Sequence, residues 1–168
     1  MPSHFDLFGL DPAYALESEA LDRSYREIQT RVHPDRFAHA GDAERRASLQ
    51  WTTRVNEAYR TLKDPVQRAK HLLELHGVDV AFETNTAMPA DFLLQQMELR
   101  ESLEEAKNPA ALDEMRKSLR EQRAELEKHI GEAIDAKKDY AGAAGLVRKL
   151  QFLDKLDSEI DAAYETIE

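Results

Sequence analysis

The chain contains no cysteine. That removes disulfides, thiolate metal ligands and a cysteine nucleophile together, and it fits a reducing compartment, so a cytoplasmic location is expected. Glycine and proline are scarce, six of each in 168 residues, a composition that suits a helical protein. No apolar run approaches the roughly 18 residues needed to cross a membrane. The opening MPSHFDLFGLDP has neither a basic stretch nor the apolar length of a signal peptide, so no targeting segment is expected. An excess of basic residues is also lacking. Net charge is −10, and it is uneven, with −1 over residues 1–78 and −9 over 79–168. Nucleic-acid binding would need a basic footprint and is therefore not expected, whereas the acidic second half should favour basic partners. The six histidines, at 4, 33, 39, 71, 76 and 129, are scattered and none sits at zinc-motif spacing to a carboxylate. No metal and no cofactor is expected.

What is present is helical periodicity. His4–Leu10 reads as a short helix or turn that lays Phe5, Leu7, Phe8 and Leu10 on a core before Asp11-Pro12 interrupts. A helix is predicted from Glu17 or Ser18 to Val32, with Ser18 as N-cap. At about 100° per residue, Leu21, Tyr25, Ile28 and Val32 share one stripe, while Arg23, Arg26 and Arg31 occupy the opposite side. Asp22 and Glu27 dilute that positive face, and charge alone is compatible with an ordinary solvated helix surface. A second helix is predicted over 42–62, with Trp51, Val55, Ala58, Tyr59 and Leu62 on its inner arc, so that Trp51 and Tyr59 are expected in the core. Asp64-Pro65 signals a cap and first residue of a further helix, whose Val66, Ala69, Leu72, Leu73 and Leu75 run to a stop at Gly77.

Between the two long helices lies Thr30-Arg31-Val32-His33-Pro34-Asp35-Arg36-Phe37. Pro34 fixes its own φ, removes a donor and biases His33 away from the helical region, so the incoming helix must stop. An imidazole, a rigid ring and a carboxylate are left on an exposed turn at the tip of an antiparallel hairpin. His33 and Asp35 there have no pocket to exclude water or tune a pKa, and no nucleophile is indicated. The group suits recognition by another protein, and the chain is expected to be no enzyme.

The charge step coincides with a Gly-, Thr-, Asn- and Pro-containing stretch at Val78–Pro89, which places a first domain at 1–78, a linker at 79–88 and a second domain at 89–168. The second domain reads as helices over about 89–107, 109–138 and 141–167. Leu112, Met115, Leu119, Leu126, Ile130 and Ile134 line one face. Leu146, Leu153, Ile160 and Ile167 recur every seven residues with Leu150 and Tyr164 between, a seam expected of a three-helix bundle. The fold class is thus all-α. The helix at 89–107 has two apolar faces. Phe92, Leu99 and Leu103 suffice for the bundle, whereas Leu93, Leu94 and Met97 lie on the far side among Glu98, Glu101, Glu104 and Glu105. An apolar centre with a charged rim has the make-up of a binding patch, though packing on the first domain or on a second copy fits the pattern equally. Phe152 is off the seam by about 100° and is a candidate exposed anchor.

The His33-Pro34-Asp35 turn between two amphipathic helices, followed by Val55-Asn56-Glu57-Ala58-Tyr59-Arg60-Thr61-Leu62, resembles a J-domain. HFDLFGL at the start, His71–Gly77, Phe92–Glu101 and Val147–Leu156 extend the likeness over essentially the whole chain, to the HscB-type J-domain co-chaperones of bacterial iron–sulfur cluster assembly. The resemblance implies an N-terminal J-domain that docks on a DnaK-class ATPase chaperone, specialised as HscA, and stimulates its ATP hydrolysis. His33, Pro34 and Asp35 would be the essential contact, and Arg23, Arg26, Arg31 and Arg36 the positive surface. It implies a C-terminal bundle that binds the cluster scaffold IscU through Leu93, Leu94, Met97, Glu98, Glu101, Glu104 and Phe152. The alternative within the same class is a general J-type holdase for unfolded clients, which calls for a broader and less acidic apolar surface.

Overall fold

The computed structural model describes residues 3–80 and 90–167; most of the expected linker at 79–88, and Pro89, lie outside the described residues. Among the described residues there are seven α-helices and no strands, so the all-α expectation holds. The chain divides into two compact units, Met1–Leu75 and His76–Glu168.

The first unit opens with α1 (His4–Leu7), held by a capping box in which the Ser3 hydroxyl accepts from the Asp6 N–H and the Asp6 carboxylate accepts from the Ser3 N–H. Phe5 and Phe8 are buried, and Gly9 takes a positive φ of 65° that lets the chain turn away at once. α2 (Ser18–Val32) and α3 (Asp42–Lys63) follow as the expected hairpin. Its antiparallel sense is written in its polar cross-links. Lys63 Nζ donates to Ser18 and Asp22, the Tyr59 hydroxyl donates to Asp22, the Tyr25 hydroxyl donates to Asn56, and the Ser48 and Thr52 hydroxyls donate to the Val32 carbonyl. The Tyr25 and Tyr59 rings stack with centroids 4.0 Å apart. Asn56 and Tyr59 of the Asn-Glu-Ala-Tyr segment therefore join the hairpin, and the two tyrosines are half-buried, each with its polar tip partnered.

Two details differ from the sequence expectation. Ser18 is the first helical residue of α2, not its cap: Glu17 holds the cap position without a side-chain hydrogen bond, and the Ser18 hydroxyl accepts from Lys63 at 2.6 Å instead. Trp51 is not in the core. It is 43% exposed, because the inward seam of α3 runs through Ser48, Val55 and Leu62. α4 (Pro65–Leu75) starts as predicted, with Asp64 Oδ1 accepting from the Val66 and Gln67 N–H groups. Arg68 reaches back from it to the carbonyls of Tyr14 and Leu62, tying the segment before α2 to the hairpin.

In the second unit α5 (Ala90–Glu105), α6 (Pro109–Gly131) and α7 (Tyr140–Ile167) share one core. Leu112, Leu119, Leu153, Leu156 and Ile160 are buried at its centre, with Leu99, Leu103, Met115 and Leu126 packed around them, which is the three-helix bundle expected. Asn108 caps α6 by accepting from the Ala111 N–H, with Pro109 in the first turn. α6 widens into a π-helical turn at Glu132–Ala136, and Lys138 takes a positive φ of 56°, so the helical run stops short of 138. The seam of α7 is shifted from the seven-residue pattern. Val147 and Leu156 are fully buried, whereas Leu146 and Ile167 are half-buried. Arg123–Asp154 and Arg100–Glu159 ion pairs bridge α6 and α5 to α7 around this core.

Candidate functional site

The tip of the hairpin is built from the end of α2. Val32 is its last helical residue, and His33 leaves the helix with φ −57° and ψ 134°, as the residue before a proline should. Pro34–Phe37 then winds into one 3₁₀-helical turn, closed by the Arg36 N–H donating to the His33 carbonyl at 3.0 Å. His33 caps this turn with its side chain, Nδ1 accepting from the Asp35 N–H at 3.2 Å. The Asp35 carboxylate lies 3.6 Å from the same nitrogen. The carboxylate itself is 92% exposed. It stands beside an open depression lined by Gln29, Thr30, His33, Asp35 and Arg36.

What holds this turn in place is not apparent from the tripeptide. The Val32 carbonyl lies in the last turn of α2, where carbonyls lack intrahelical donors. It accepts from two α3 hydroxyls, Ser48 and Thr52. Ser48 is only 3% exposed. Sequence reasoning passed over it, yet the signal was there. Ser48, Val55 and Leu62 recur every seven residues on one face, and a hydroxyl in an apolar seam needs a partner. The turn is thus supported from beneath while its functional groups face out.

Arg23, Arg26, Arg31 and Arg36 are all exposed. Asp22, expected to dilute this face, is turned toward α3. Its bonds with Lys63 first, and Tyr59 next, hold its carboxyl below the ordinary 3.8. Glu27 remains exposed among the arginines. The outer side of α2 is accordingly more positive than a residue count suggests.

On α5, Leu93, Leu94 and Met97 are 45, 60 and 67% exposed, and Glu98, Glu101 and Glu104 are exposed around them. The patch the helical wheel could not bury is indeed at the surface. Phe152 differs from the expectation. It is half-buried against the bundle core, edge-to-face with Phe92 at 5.7 Å, and covered by the Arg100 guanidinium 5.5 Å from its ring centroid. Its ring contacts the α5 side chains Phe92 and Arg100, but as a packing residue more than a free anchor. Among the described residues no group of three or more His, Cys, Asp or Glu could hold a metal ion, and no helix is long and apolar enough to cross a membrane.

Residues 88–161 match the family model of the HSCB C-terminal oligomerisation domain. Over 170 aligned residues, covering 99% of this chain and 96% of the relative, the sequence is 54% identical to a co-chaperone protein HscB homolog of Burkholderia multivorans. The fold superposes on the chaperone HscB from Vibrio cholerae with a TM-score of 0.87 at 33% identity, covering 99% of this chain and all of that one. It superposes on the crystal structure of the human co-chaperone protein HscB with a TM-score of 0.93 at 28% identity, covering 96% and 82% of the two chains. A J-type hairpin with an outward His-Pro-Asp turn, an acid-rimmed bundle and identity above half over nearly the full length agree: the chain belongs to the HscB family of co-chaperones.

Proposed function

We propose that the protein is an adaptor that brings the iron–sulfur scaffold IscU to a DnaK-class chaperone of the HscA type and stimulates that chaperone's ATP hydrolysis. The observation that carries the reading is the Asp35 carboxylate, 92% exposed on a stiff turn whose backbone is held by Ser48 and Thr52. A rigid, outward anion of this kind loses little entropy on engaging a basic group. His33 and Pro34 fix its geometry, and Arg23, Arg26, Arg31 and Arg36 would meet an acidic surface on the ATPase. In this assignment residues 1–78 form the J-domain, and 89–168 hold the scaffold through Leu93, Leu94 and Met97, with Glu98, Glu101 and Glu104 selecting a basic rim. Phe152 acts there by supporting α5 through Phe92. Holding client and ATPase on one chain raises the effective concentration of one for the other.

The test is steady-state ATPase of HscA with this protein, with and without IscU. Synergistic stimulation is expected, abolished by Asp35→Asn and reduced by Leu94→Ala with Met97→Ala. Stimulation by Asp35→Asn equal to that of the parent protein refutes the role given to the turn. Stimulation indifferent to IscU refutes the client. Sizing over the assay concentrations belongs to the same experiment, because residues 88–161 match the model of an oligomerisation domain.

A further inference from the structure

Beside the turn lies a second surface feature. Val32, Phe37, Glu44, Ala47, Ser48 and Trp51 line a groove of about 200 Å³. That is below the range of roughly 300–1,000 Å³ typical of small-molecule sites, and it suits a side chain or two from a partner. Its walls are the residues flanking the His-Pro-Asp group, Val32 before it and Phe37 at the end of the 3₁₀ turn, with the single tryptophan of the chain 43% exposed along one side. An isolated exposed apolar residue is unremarkable, but a tryptophan edging a concave apolar floor is the composition of an interface anchor. Glu44 puts one carboxylate in the lining, but the surroundings carry more arginine. The Arg54 guanidinium lies 5.4 Å from the Trp51 ring centroid, and Arg31, Arg36 and Arg46, next in the chain to the groove walls, are exposed. From Arg23 to Arg54 there are seven arginines against four carboxylates, in a chain whose net charge is −10.

We infer that this groove is a second contact for the ATPase chaperone, receiving an apolar side chain flanked by carboxylates, continuous with the contact made by Asp35. The inference rests on the proposed docking of the turn. Its occupant is set by two observations, the walls shared with the His-Pro-Asp turn and the excess of arginine over carboxylate between Arg23 and Arg54, which would disfavour the basic partner suited to the acidic patch on α5. The turn supplies the charged contact; the groove supplies desolvated apolar area, which lowers the dissociation rate.

The protein's single tryptophan makes the test direct. The full chain is labelled with 5-fluorotryptophan, giving one ¹⁹F resonance, and titrated with ATP-loaded HscA, alongside ATPase titrations of unlabelled variants. The resonance is expected to shift or broaden on binding. Ala47→Leu fills the groove from a helical position at little cost in helix propensity, and should raise the half-maximal concentration about tenfold. Trp51→Ala should raise it about thirtyfold, the level of a truncated hot-spot residue. Circular dichroism checks that both variants keep their helix content. An unmoved resonance at concentrations that stimulate the ATPase, or an unchanged half-maximal concentration for Ala47→Leu, overturns the groove and leaves the role of the turn standing. Normal stimulation by Asp35→Asn, with a Trp51 shift that Ala47→Leu removes, overturns the role of the turn and leaves the groove. A shift that depends on this protein's own concentration without chaperone makes the occupant a second copy and overturns the inference.

Discussion

Truncating Phe152 and truncating the α5 patch should have opposite consequences, although both are apolar changes on one bundle. A fully buried phenylalanine cut to alanine costs about 3–5 kcal/mol. Phe152 is half-buried, so about half of that transfer and packing energy is at stake, and loss of the edge-to-face pair with Phe92 adds about 0.5–1.5 kcal/mol. The expected destabilisation is about 2–4 kcal/mol. Leu94 and Met97, at 60 and 67% exposed, have little burial to lose. Alanine is also the better helix former, so each should stay within about 0.5 kcal/mol. The assay is urea denaturation of the full chain, read at the transition of the C-terminal unit, beside titration of IscU onto each variant. Leu94→Ala with Met97→Ala should weaken scaffold binding by at least about tenfold, with the denaturation midpoint unchanged. Phe152→Ala should lower the midpoint. A Phe152→Ala protein as stable as the parent would refute the packing role. A destabilised Leu94→Ala, Met97→Ala protein would place that face against something inside the molecule.

Four further outcomes are expected. Ser48→Ala should cost about 1 kcal/mol, and Ser48→Ala with Thr52→Val more than the sum of the singles, because only the double change leaves the Val32 carbonyl without a side-chain donor; a denaturant cycle showing strict additivity would refute the shared acceptor. Hydrogen exchange at the 3₁₀ turn should accelerate in the same double variant. Burial holds the His4 and His71 imidazoles below their ordinary 6.5, with Glu57 and Glu74 opposing and Arg54 assisting at His4, and His71 Nε2 accepts from the His4 N–H at 3.1 Å. Because the unfolded chain takes up protons first, stability should be full above about pH 6.5 and fall as pH drops through it. His71→Gln, which keeps an acceptor, should flatten that fall in a melting-temperature series. For Asp22 the depressed carboxyl makes its contribution present above its ordinary 3.8 and lost as pH falls further. Asp22→Asn should therefore lose stability near neutrality and show a shallower acid transition, and an unchanged acid limb would refute the link to Lys63.

The elements were legible because each start and stop has local chemistry: the Asn108-Pro109 and Asp64-Pro65 caps, the halt before Pro34, the glycine after α4. The α5 patch was legible for the converse reason, since 3.6-residue periodicity cannot bury Leu93, Leu94 and Met97 together with Phe92. What escaped was side-chain choice among partners that are far apart in sequence. Asp22 reads as a surface acid until α3 offers Lys63 and Tyr59, and Ser18 reads as a cap until Lys63 claims its hydroxyl. Phe152 reads as exposed from α7 alone and acquires cover from Phe92 and Arg100 on another helix. Trp51 is the reverse case. The wheel put it inside with Val55 and Leu62, but the inward seam near the tip runs through Ser48, which closes on the Val32 carbonyl and leaves the indole at the rim. That departure is informative. A local pattern that asks for burial is overruled beside the His-Pro-Asp turn, and such conflicts are expected where a surface is kept for something else. The hydroxyl that steadies the turn also lines the groove edged by Trp51, so one seam position serves both halves of the contact the chaperone is proposed to read.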